Sequence, residues 1–139
     1  MKRFVLDASI TLAWFVDPVI APLAVRIQQL LLQGDRAIVP YLWRSEVANG
    51  FVIAQRRGIL NVVRTAQALT ELDLLVGQFI DSANHDLPIQ RIVSTAQHFA
   101  LTAYDATYLD TAREQNLPLA TLDRKLAEAA GQAGVSLIV

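Results

Sequence analysis

The sequence predicts an α/β domain in which a mostly parallel central sheet is flanked by helices in three layers. Short apolar segments with the length of strands alternate with longer segments of helical periodicity along the 139 residues. These short segments lack the apolar and polar alternation of a sheet with one face in water, which indicates strands covered on both faces. The length is that of one domain with a single core, so we expect one domain over residues 1–139.

The first half of the chain begins with an apolar run that stops at a carboxylate. The segment from Phe4 to Leu6 has the composition of a buried strand, and Asp7 with Ser9 can cap the helix that follows. Proline and glycine mark the later boundaries, because neither readily continues a helix. The predicted elements are a strand at 4–6, helices at 8–15 and 21–33, a strand at 37–39 and a helix at 42–57.

The second half repeats this alternation. Asp86 and Pro88 stand where a helix cap and a first helical residue belong. Asp105 lies in the first turn of a later helix, and Asp123 follows the next predicted strand. The predicted elements are helices at 61–75, 89–99, 102–115 and 124–130, with strands at 78–80, 117–121 and 135–139.

Charge and cysteine content limit the possible functions. The formal net charge is −1, so any nucleic-acid binding needs a local patch or a bound cation. The absence of cysteine excludes disulfides and thiolate metal sites and suits a reducing cytoplasm. Asp7 interrupts a start that faintly resembles a signal peptide, and the longest stretch without Asp, Glu, Lys or Arg, residues 92–104, is too short to span a membrane. We therefore expect a cytoplasmic protein with no membrane association.

The chain is rich in apolar residues. They make up 53% of it, against 18% charged residues, which leaves apolar surface for a protein partner or a dimer interface. Trp14 and Phe15 in the first helix, with Trp43 and Phe51 in the third, could stack on bases, but helical spacing favours a core or interface role. We expect these four aromatic residues to form a partner surface.

Four carboxylates stand where this fold would bring them to one edge of the sheet. Asp7 ends the first strand, Asp123 follows a later strand, Asp105 opens a helix and Glu46 lies in the first turns of another. Each one alone is more simply read as a helix-start residue, because Asp and Glu favour the first turn and Thr102 with Asp105 resembles a capping box. Four of them at compatible ends favour a shared site.

Gathering four carboxylates is electrostatically unfavourable. Two unit charges about 5 Å apart repel by about 3 kcal/mol at an effective dielectric constant of ~20. Such a cluster must take up protons or bind a cation. A hard divalent ion is the natural neutralising charge, and oxygen-only ligands point to Mg2+ or Mn2+ rather than zinc.

Four motifs carry a resemblance to a known family. They are Val5-Leu6-Asp7-Ala8-Ser9, Arg44-Ser45-Glu46-Val47-Ala48-Asn49, Thr102-Ala103-Tyr104-Asp105-Ala106 and Thr121-Leu122-Asp123-Arg124-Lys125-Leu126. In this order, and over essentially the whole chain, they resemble PIN domains. Within that family the chain is most similar to the VapC-type toxins of toxin–antitoxin pairs. The Tyr-Asp-Ala and Thr-x-Asp pieces are the more distinctive parts.

The resemblance implies a PIN-like fold and an Mg2+- or Mn2+-dependent endoribonuclease that acts as a toxin and hydrolyses RNA phosphodiesters with metal-activated water. Position by position, Asp7, Asp105 and Asp123 match the family's metal-site aspartates. Glu46 matches the fourth acidic residue, which would position or deprotonate the water. The supporting polar positions match Ser9, Asn49 and Thr121.

The same resemblance implies macromolecular partners. Arg124 and Lys125 adjoin Asp123 and are candidates for contacts with RNA phosphates. In the family a small cognate antitoxin inserts an apolar helix into the groove beside the acidic site. The apolar residues in excess would then form the surface that binds this antitoxin and a homodimer interface.

Functions of other classes fit the residues less well. A non-catalytic PIN-like RNA- or protein-binding module is the main alternative, but a polyanion-binding module gains nothing from four uncompensated carboxylates. A flavodoxin-like phosphotransfer domain would need a lysine at a later strand end, which the sequence does not supply. A phosphatase with an Asp-x-Asp motif is disfavoured because Ser9 stands at the second position.

Overall fold

A four-stranded, all-parallel sheet runs through the middle of the computed structural model, which describes residues 1–139. Its strands follow one another in the order β3-β2-β1-β4 across the sheet. The strands are β1 (Arg3–Leu6), β2 (Arg36–Val39), β3 (Ile80–Ser82) and β4 (Leu119–Ala120). Seven helices flank the sheet, so the predicted α/β class is confirmed, with all strand pairs parallel.

The helices lie close to their predicted positions. They are α1 (Ala8–Val16), α2 (Pro22–Leu32), α3 (Leu42–Arg56), α4 (Val62–Phe79), α5 (Ile89–Phe99), α6 (Ala103–Gln115) and α7 (Arg124–Gln132). Gly34 and Gly58 follow α2 and α3 with φ of +104° and +73°. These left-handed values favour glycine and explain why the two glycines predicted the ends of both helices.

The central strand β1 explains how the site is positioned. Val5 pairs with Ile38 of β2 on one side and with Leu119 of β4 on the other. The chain passes from β1 to β2 on one side and later returns to place β4 on the other. In parallel sheets, ligands bind at the carboxyl edge where the strand order reverses in this way. Asp7 and Thr121, which directly follow β1 and β4, therefore lie at that edge.

The core closes over both faces of the sheet. Phe4, Val5 and Leu6 are at most 1% exposed, as expected for a strand with helices on both sides. Trp43 and Tyr108 are the largest fully buried side chains. The core cluster also includes Trp14, Phe15 and Phe51. The prediction that the four large aromatic residues of α1 and α3 form a partner surface is therefore wrong, because they fill the interior.

Two predicted strands are placed differently. Helix α4 continues to Phe79, and the strand predicted at 78–80 lies at 80–82. Arg36 of β2 explains the shift, because its guanidinium donates to both carboxylate oxygens of Asp81 at 2.7 Å and to the carbonyl oxygen of Gln78 at 2.6 Å. This fork fixes the start of β3 beside β2. The strand predicted at 135–139 is reduced to one bridge between Leu119 and Leu137.

Two smaller expectations also need correction. The strand predicted at 117–121 is ladder-paired only at Leu119–Ala120. Asp86 does not cap α5, because Pro88 occupies the N-cap position and no side chain caps that end. No helix in the protein is both long and apolar enough to cross a membrane.

Candidate active site

The candidate site lies at the carboxyl edge of the sheet, around the end of β1. Asp7 comes directly after β1, and Asp123 begins α7 just after β4. Glu46 lies in the second turn of α3, and Asp105 lies in the first turn of α6. Each of these four carboxylates is electrostatically coupled to at least one of the others. The fold thus brings together side chains that are more than a hundred residues apart in the chain.

Asp7 is the buried member of the cluster, only 5% exposed. The hydroxyls of Ser9 and Thr121 both donate to its Oδ2 atom, at 2.6 and 2.7 Å. Asp7 occupies the N-cap position of α1, but its side chain accepts no capping hydrogen bond, so the predicted capping by Asp7 and Ser9 is wrong. Burial is the main cause that raises the pKa of Asp7, and the charge of Asp123 raises it further.

The two hydroxyls also tie the end of β1 to the turn after β4. Ser9 Oγ accepts the backbone N–H of Leu122 at 3.0 Å, and Thr121 Oγ1 accepts that of Asp123 at 3.0 Å. Each hydroxyl therefore accepts from the β4 turn while it donates to Asp7. This arrangement fixes the rotamer of a carboxylate that its charged neighbours repel.

Asp123 is exposed and has a structural role as well. Its Oδ1 atom accepts the backbone N–H of Leu126 at 2.9 Å and so caps α7. The helix-start interpretation therefore applies to Asp123, but it does not exclude a second role, because Oδ2 accepts no hydrogen bond from the protein. Capping holds this carboxylate beside Asp7 and Asp105, with which it is coupled.

Asp105 carries the clearest electrostatic signature of a crowded cluster. Its pKa is raised to about 6, mainly by burial and then by the charges of Asp123, Asp7 and Glu46, in that order. Its backbone N–H donates to Thr102 Oγ1 at 3.1 Å, which is one half of the capping box expected from the sequence. A carboxylate in the first turn of a helix is normally stabilised by the helix dipole. Here desolvation and repulsion outweigh that stabilisation.

Glu46 is held by a residue that the sequence did not single out. Tyr108 donates its hydroxyl to Glu46 Oε1 at 2.6 Å. Burial raises the pKa of Glu46, and the charge of Asp7 raises it further. Tyr108 follows Asp105 by three residues on α6 and so shares its helix face. That i, i+3 spacing from a candidate carboxylate is the signal that could have identified it.

The remaining candidates lie around the cluster without hydrogen bonds to it. Asn49 is exposed on α3, three residues after Glu46. Arg124 and Lys125 are exposed in the first turn of α7. The ion pairs of the protein are Arg36–Asp81, Arg64–Glu71, Arg91–Asp110, Arg91–Glu114 and Arg113–Asp110. None includes a carboxylate of the cluster, so no lysine or arginine neutralises it within 4.0 Å.

The donor chemistry fits a hard divalent cation. All four side chains offer carboxylate oxygens, they repel one another, and no protein cation pairs with them. No three His, Cys, Asp or Glu side chains are already gathered tightly enough to enclose an ion. The cluster is thus a set of oxygen donors held at one edge rather than a closed coordination shell.

Comparison with known proteins identifies one family. A family model described as the PIN domain matches residues 4–132. A search of curated proteins found no match. Similar solved structures include PAE2754 from Pyrobaculum aerophilum, with a TM-score of 0.69, 23% identity, and coverage of 92% of this chain and 84% of that one.

Two further structures show the same likeness of fold. FitAcB from Neisseria gonorrhoeae has a TM-score of 0.65 and 20% identity, and covers 98% of this chain and 96% of its own. A domain of a functionally unknown protein from Methanocaldococcus jannaschii DSM 2661 has a TM-score of 0.56 and 17% identity. The match covers 99% of this chain and 90% of that one. The fold of this chain is therefore shared with other solved structures.

Proposed function

The chain belongs to the PIN domain family, and from that premise we propose that it is an Mg2+- or Mn2+-dependent endoribonuclease that acts as the toxin of a toxin–antitoxin pair. PIN domains are generally metal-dependent nucleases. The assignment to RNA and to a toxin rests on the VapC-type motifs around the four carboxylates. The chain has the length of one domain, and we propose that residues 1–139 form a single PIN-like domain.

One observation carries the proposal: four carboxylates converge at one edge of the sheet with no protein cation among them. A purely structural site would gain nothing from this arrangement. Repulsion between the neighbouring carboxylates raises the free energy of the folded state. A divalent ion bound by the cluster reverses the sign of that interaction. Carboxylates gathered without a protein cation are expected at a site that binds a metal cation in order to function.

The cluster residues have distinct roles in this proposal. Asp7, Asp105 and Asp123 would hold the ion, which would supply Lewis acidity to the phosphodiester and to the attacking water. Ser9 and Thr121 keep Asp7 oriented by donating to the same oxygen. Because both hydroxyls donate to Oδ2, the Oδ1 atom of Asp7 accepts no side-chain hydrogen bond and would be the oxygen available to an ion.

Glu46 is the proposed general base or water-positioning group. One of its oxygens accepts from Tyr108, and the other accepts no hydrogen bond from the protein. That second oxygen can orient the attacking water or take its proton. Because burial and the charge of Asp7 raise its pKa, Glu46 is a stronger base than a solvated glutamate.

Substrate contacts are proposed for the exposed polar residues at the rim. Arg124 and Lys125 extend from the first turn of α7 beside Asp123, where their charges can contact RNA phosphates. Asn49 keeps the supporting role predicted for it, because its amide lies on the same face of α3 as Glu46, three residues away. With a net charge of −1, the protein depends on these local contacts and on the cation for attraction to RNA.

Protein partners are proposed for an exposed apolar surface on α3 and α4. We call it the α3–α4 apolar surface, and its members on α3, on α4 and in the turn between them are Val52, Ile53, Ile59, Val62, Val63, Leu69 and Leu74, each at least 37% exposed. Their exposure makes this part of the surface the candidate for an interface. We propose that a homodimer contact and a cognate antitoxin cover the apolar surface of the protein. Under this proposal the complex functions in the cytoplasm.

Cleavage of a circular RNA tests the catalytic part of the proposal. An endonuclease linearises a circle that has no ends for an exonuclease to attack. We expect cleavage with Mg2+ or Mn2+ and none with excess EDTA. Asp7→Asn and Asp105→Asn should each reduce the rate at least about 100-fold, because each removes a charge that holds the ion.

Asp73→Asn is the matched control, since Asp73 is an exposed aspartate of α4 outside the cluster, and its rate should equal that of the wild type. Full activity of Asp7→Asn and Asp105→Asn would refute the assignment of the site. Tight RNA binding by the wild type with no cleavage under any divalent cation would instead favour the non-catalytic binding module.

A further inference from the structure

Tyr108 joins two elements of the candidate site through a single hydrogen bond. Its hydroxyl, on α6, donates to Glu46 Oε1, on α3, at 2.6 Å across 62 positions of sequence. Tyr108 is 0% exposed and belongs to the hydrophobic core. Its ring is therefore fixed by packing, so the direction of the hydroxyl is fixed as well.

The surroundings of this hydroxyl keep it protonated. Burial is the main cause that raises the pKa of Tyr108, and the hydrogen bond to Glu46 and the charge of Glu46 raise it further. The backbone N–H of Ala8 has the smallest effect and lowers it. The protonated hydroxyl is therefore available as a donor, and Glu46 is the acceptor that it reaches.

Glu46 would not keep this position by itself. It has three rotatable side-chain bonds and lies partly exposed, and the charge of Asp7 acts on it. Repulsion from Asp7 and the loss of hydration both favour rotamers that swing the carboxylate into solvent. A hydrogen bond from a neutral donor to a charged acceptor is among the stronger ones and opposes that rotation.

We propose that Tyr108 is a positioning residue of the ribonuclease reaction proposed above, which fixes the Glu46 carboxylate beside Asp7 before RNA binds. With Oε1 held by Tyr108, Oε2 is the oxygen presented to the attacking water. Tyr108 acts only through Glu46 and contacts neither RNA nor the ion. This inference rests on the proposed function, in which Glu46 orients or deprotonates the water.

The test is Tyr108→Phe, with Tyr104→Phe as the matched control. Both variants remove one phenol hydroxyl from the same helix and keep the ring. Tyr104 is 63% exposed and its hydroxyl makes no hydrogen bond within the protein. We expect Tyr108→Phe to lower kcat by about 10- to 100-fold while KM changes less than about twofold, as for the loss of a group that orients an essential side chain. Tyr104→Phe should match the wild type.

Two further measurements separate positioning from a general effect on folding. In a Glu46→Ala background, Tyr108→Phe should have no additional effect on kcat, because the residue through which it acts is gone. A crystal structure of Tyr108→Phe should show the Glu46 carboxylate displaced from its place beside Asp7. If Tyr108→Phe is as active as Tyr104→Phe, or lowers kcat equally with and without Glu46, the proposal is wrong.

Two other results need a separate test: failure of Tyr108→Phe to fold, and failure of the wild type to cleave RNA. If Tyr108→Phe does not fold, Glu46→Asp takes its place, since it withdraws the carboxylate from Tyr108 by one methylene and leaves the core intact. The crystal structure of Glu46→Asp should show a carboxylate that no longer accepts from the Tyr108 hydroxyl and is displaced, whereas a carboxylate that keeps its orientation without this hydrogen bond would overturn the proposal. If the wild type does not cleave RNA, the proposed function fails, but the displacement of Glu46 in the Tyr108→Phe crystal structure still decides whether Tyr108 positions it.

Discussion

At the scale of single residues, the site is a balance between carboxylate repulsion and the contacts that hold the carboxylates in place. Asp7 is held by two hydroxyls, Asp123 by its role as a helix cap, and Glu46 by Tyr108. Asp105 has only the capped first turn of α6 to fix it. Its pKa is raised to about 6, first by burial and then by the charges of Asp123, Asp7 and Glu46.

Asp105→Asn should stabilise the metal-free protein at neutral pH. The folded-state pKa of Asp105 is about 6, above the value near 3.9 of an unfolded chain, so between these values the folded state binds more protons. Its stability therefore falls as pH rises from about 4 to about 6, and the penalty is complete above pH 6. Allowing for solvent screening, we expect a gain of about 1 kcal/mol in the variant at pH 7.5.

Urea unfolding in EDTA at pH 7.5 and at pH 4 measures this difference. At pH 4 the wild-type carboxyl is already protonated in the folded state, so the advantage of Asp105→Asn should largely disappear. Asp73→Asn, on an exposed part of α4, controls for the loss of one negative charge. A variant that is less stable than the wild type at pH 7.5 would mean that Asp105 is stabilised by its surroundings.

At the scale of elements, the packing of α3 on α1 positions Glu46. Gly50 follows Glu46 by one turn, and a Cβ atom added there would lie 2.3 Å from Leu12 Cδ2 and 2.9 Å from Leu12 Cγ. Glycine here allows close approach of the two helices, and a larger residue would force the Leu12 side chain to move. A shift of α3 away from α1 at this contact would also move Glu46, which lies one turn earlier on α3.

Gly50→Ala should destabilise the protein by about 1 kcal/mol. Overpacking of a closely packed contact costs about 1–3 kcal/mol, while the better helix propensity of alanine returns up to about 1 kcal/mol. Adding Leu12→Ala removes the clash, so a double-mutant cycle by urea unfolding should give a favourable coupling energy of about 1 kcal/mol.

Gly77→Ala is the control for this prediction. Gly77 lies within α4, and an added Cβ would meet nothing within 4 Å, so this variant should show only the gain in helix propensity. Gly50→Ala should also slow RNA cleavage, because it moves Glu46. Equal stabilisation by Gly50→Ala and Gly77→Ala would show that the Leu12 side chain moves aside at no cost in stability.

At the scale of the whole molecule, the candidate site is made where the two halves of the chain meet. Asp7 and Glu46 come from the first half, and Asp105 and Asp123 from the second. The pairing of β1 with β4 brings the halves together, through Val5 with Leu119 and Leu6 with Ala120. A cation shared by carboxylates of both halves would therefore stabilise the fold as a whole.

Mg2+ or Mn2+ should raise the melting temperature of the wild type. At ten times its Kd, an ion that binds only the folded state stabilises it by about 1.4 kcal/mol, or about 3–6 °C for a chain of this length. The rise should be smaller at pH 5, where Asp105 is largely protonated. Differential scanning calorimetry with KCl of matched ionic strength as control measures it.

The substitutions of the cluster make this prediction specific. Asp7→Asn and Asp105→Asn should lose most of the rise caused by the ion, whereas Asp73→Asn should keep it. An equal rise in all four proteins would indicate that the ion binds elsewhere on the surface.

Local signals in the sequence determined most of the secondary structure. Apolar runs of strand length identified β1 and β2, and glycine or proline marked the ends of α1, α2 and α3. The same local reading assigned each candidate carboxylate to the start of a helix or the end of a strand. Because all strands are parallel, that local assignment was enough to predict a common edge for them.

Tertiary contacts decided what local signals left open. The position of β3 depends on Arg36, which is more than 40 residues away from Asp81, and the segment at 135–139 has too few backbone partners to form a ladder strand. The large aromatic residues of α1 and α3 became core rather than surface. In α1, which has few polar residues, the sequence does not reveal which face is covered.

The sequence by itself determined which elements form and which carboxylates stand at their ends, because propensity, caps and apolar periodicity act over a few neighbouring residues. Only the tertiary structure decided that Tyr108 reaches Glu46, that Ser9 and Thr121 share one oxygen of Asp7, and that no arginine or lysine pairs with the cluster. Hydrogen bonds and charge interactions of this kind depend on distances between residues far apart in the chain. Those distances exist only after the sheet has formed.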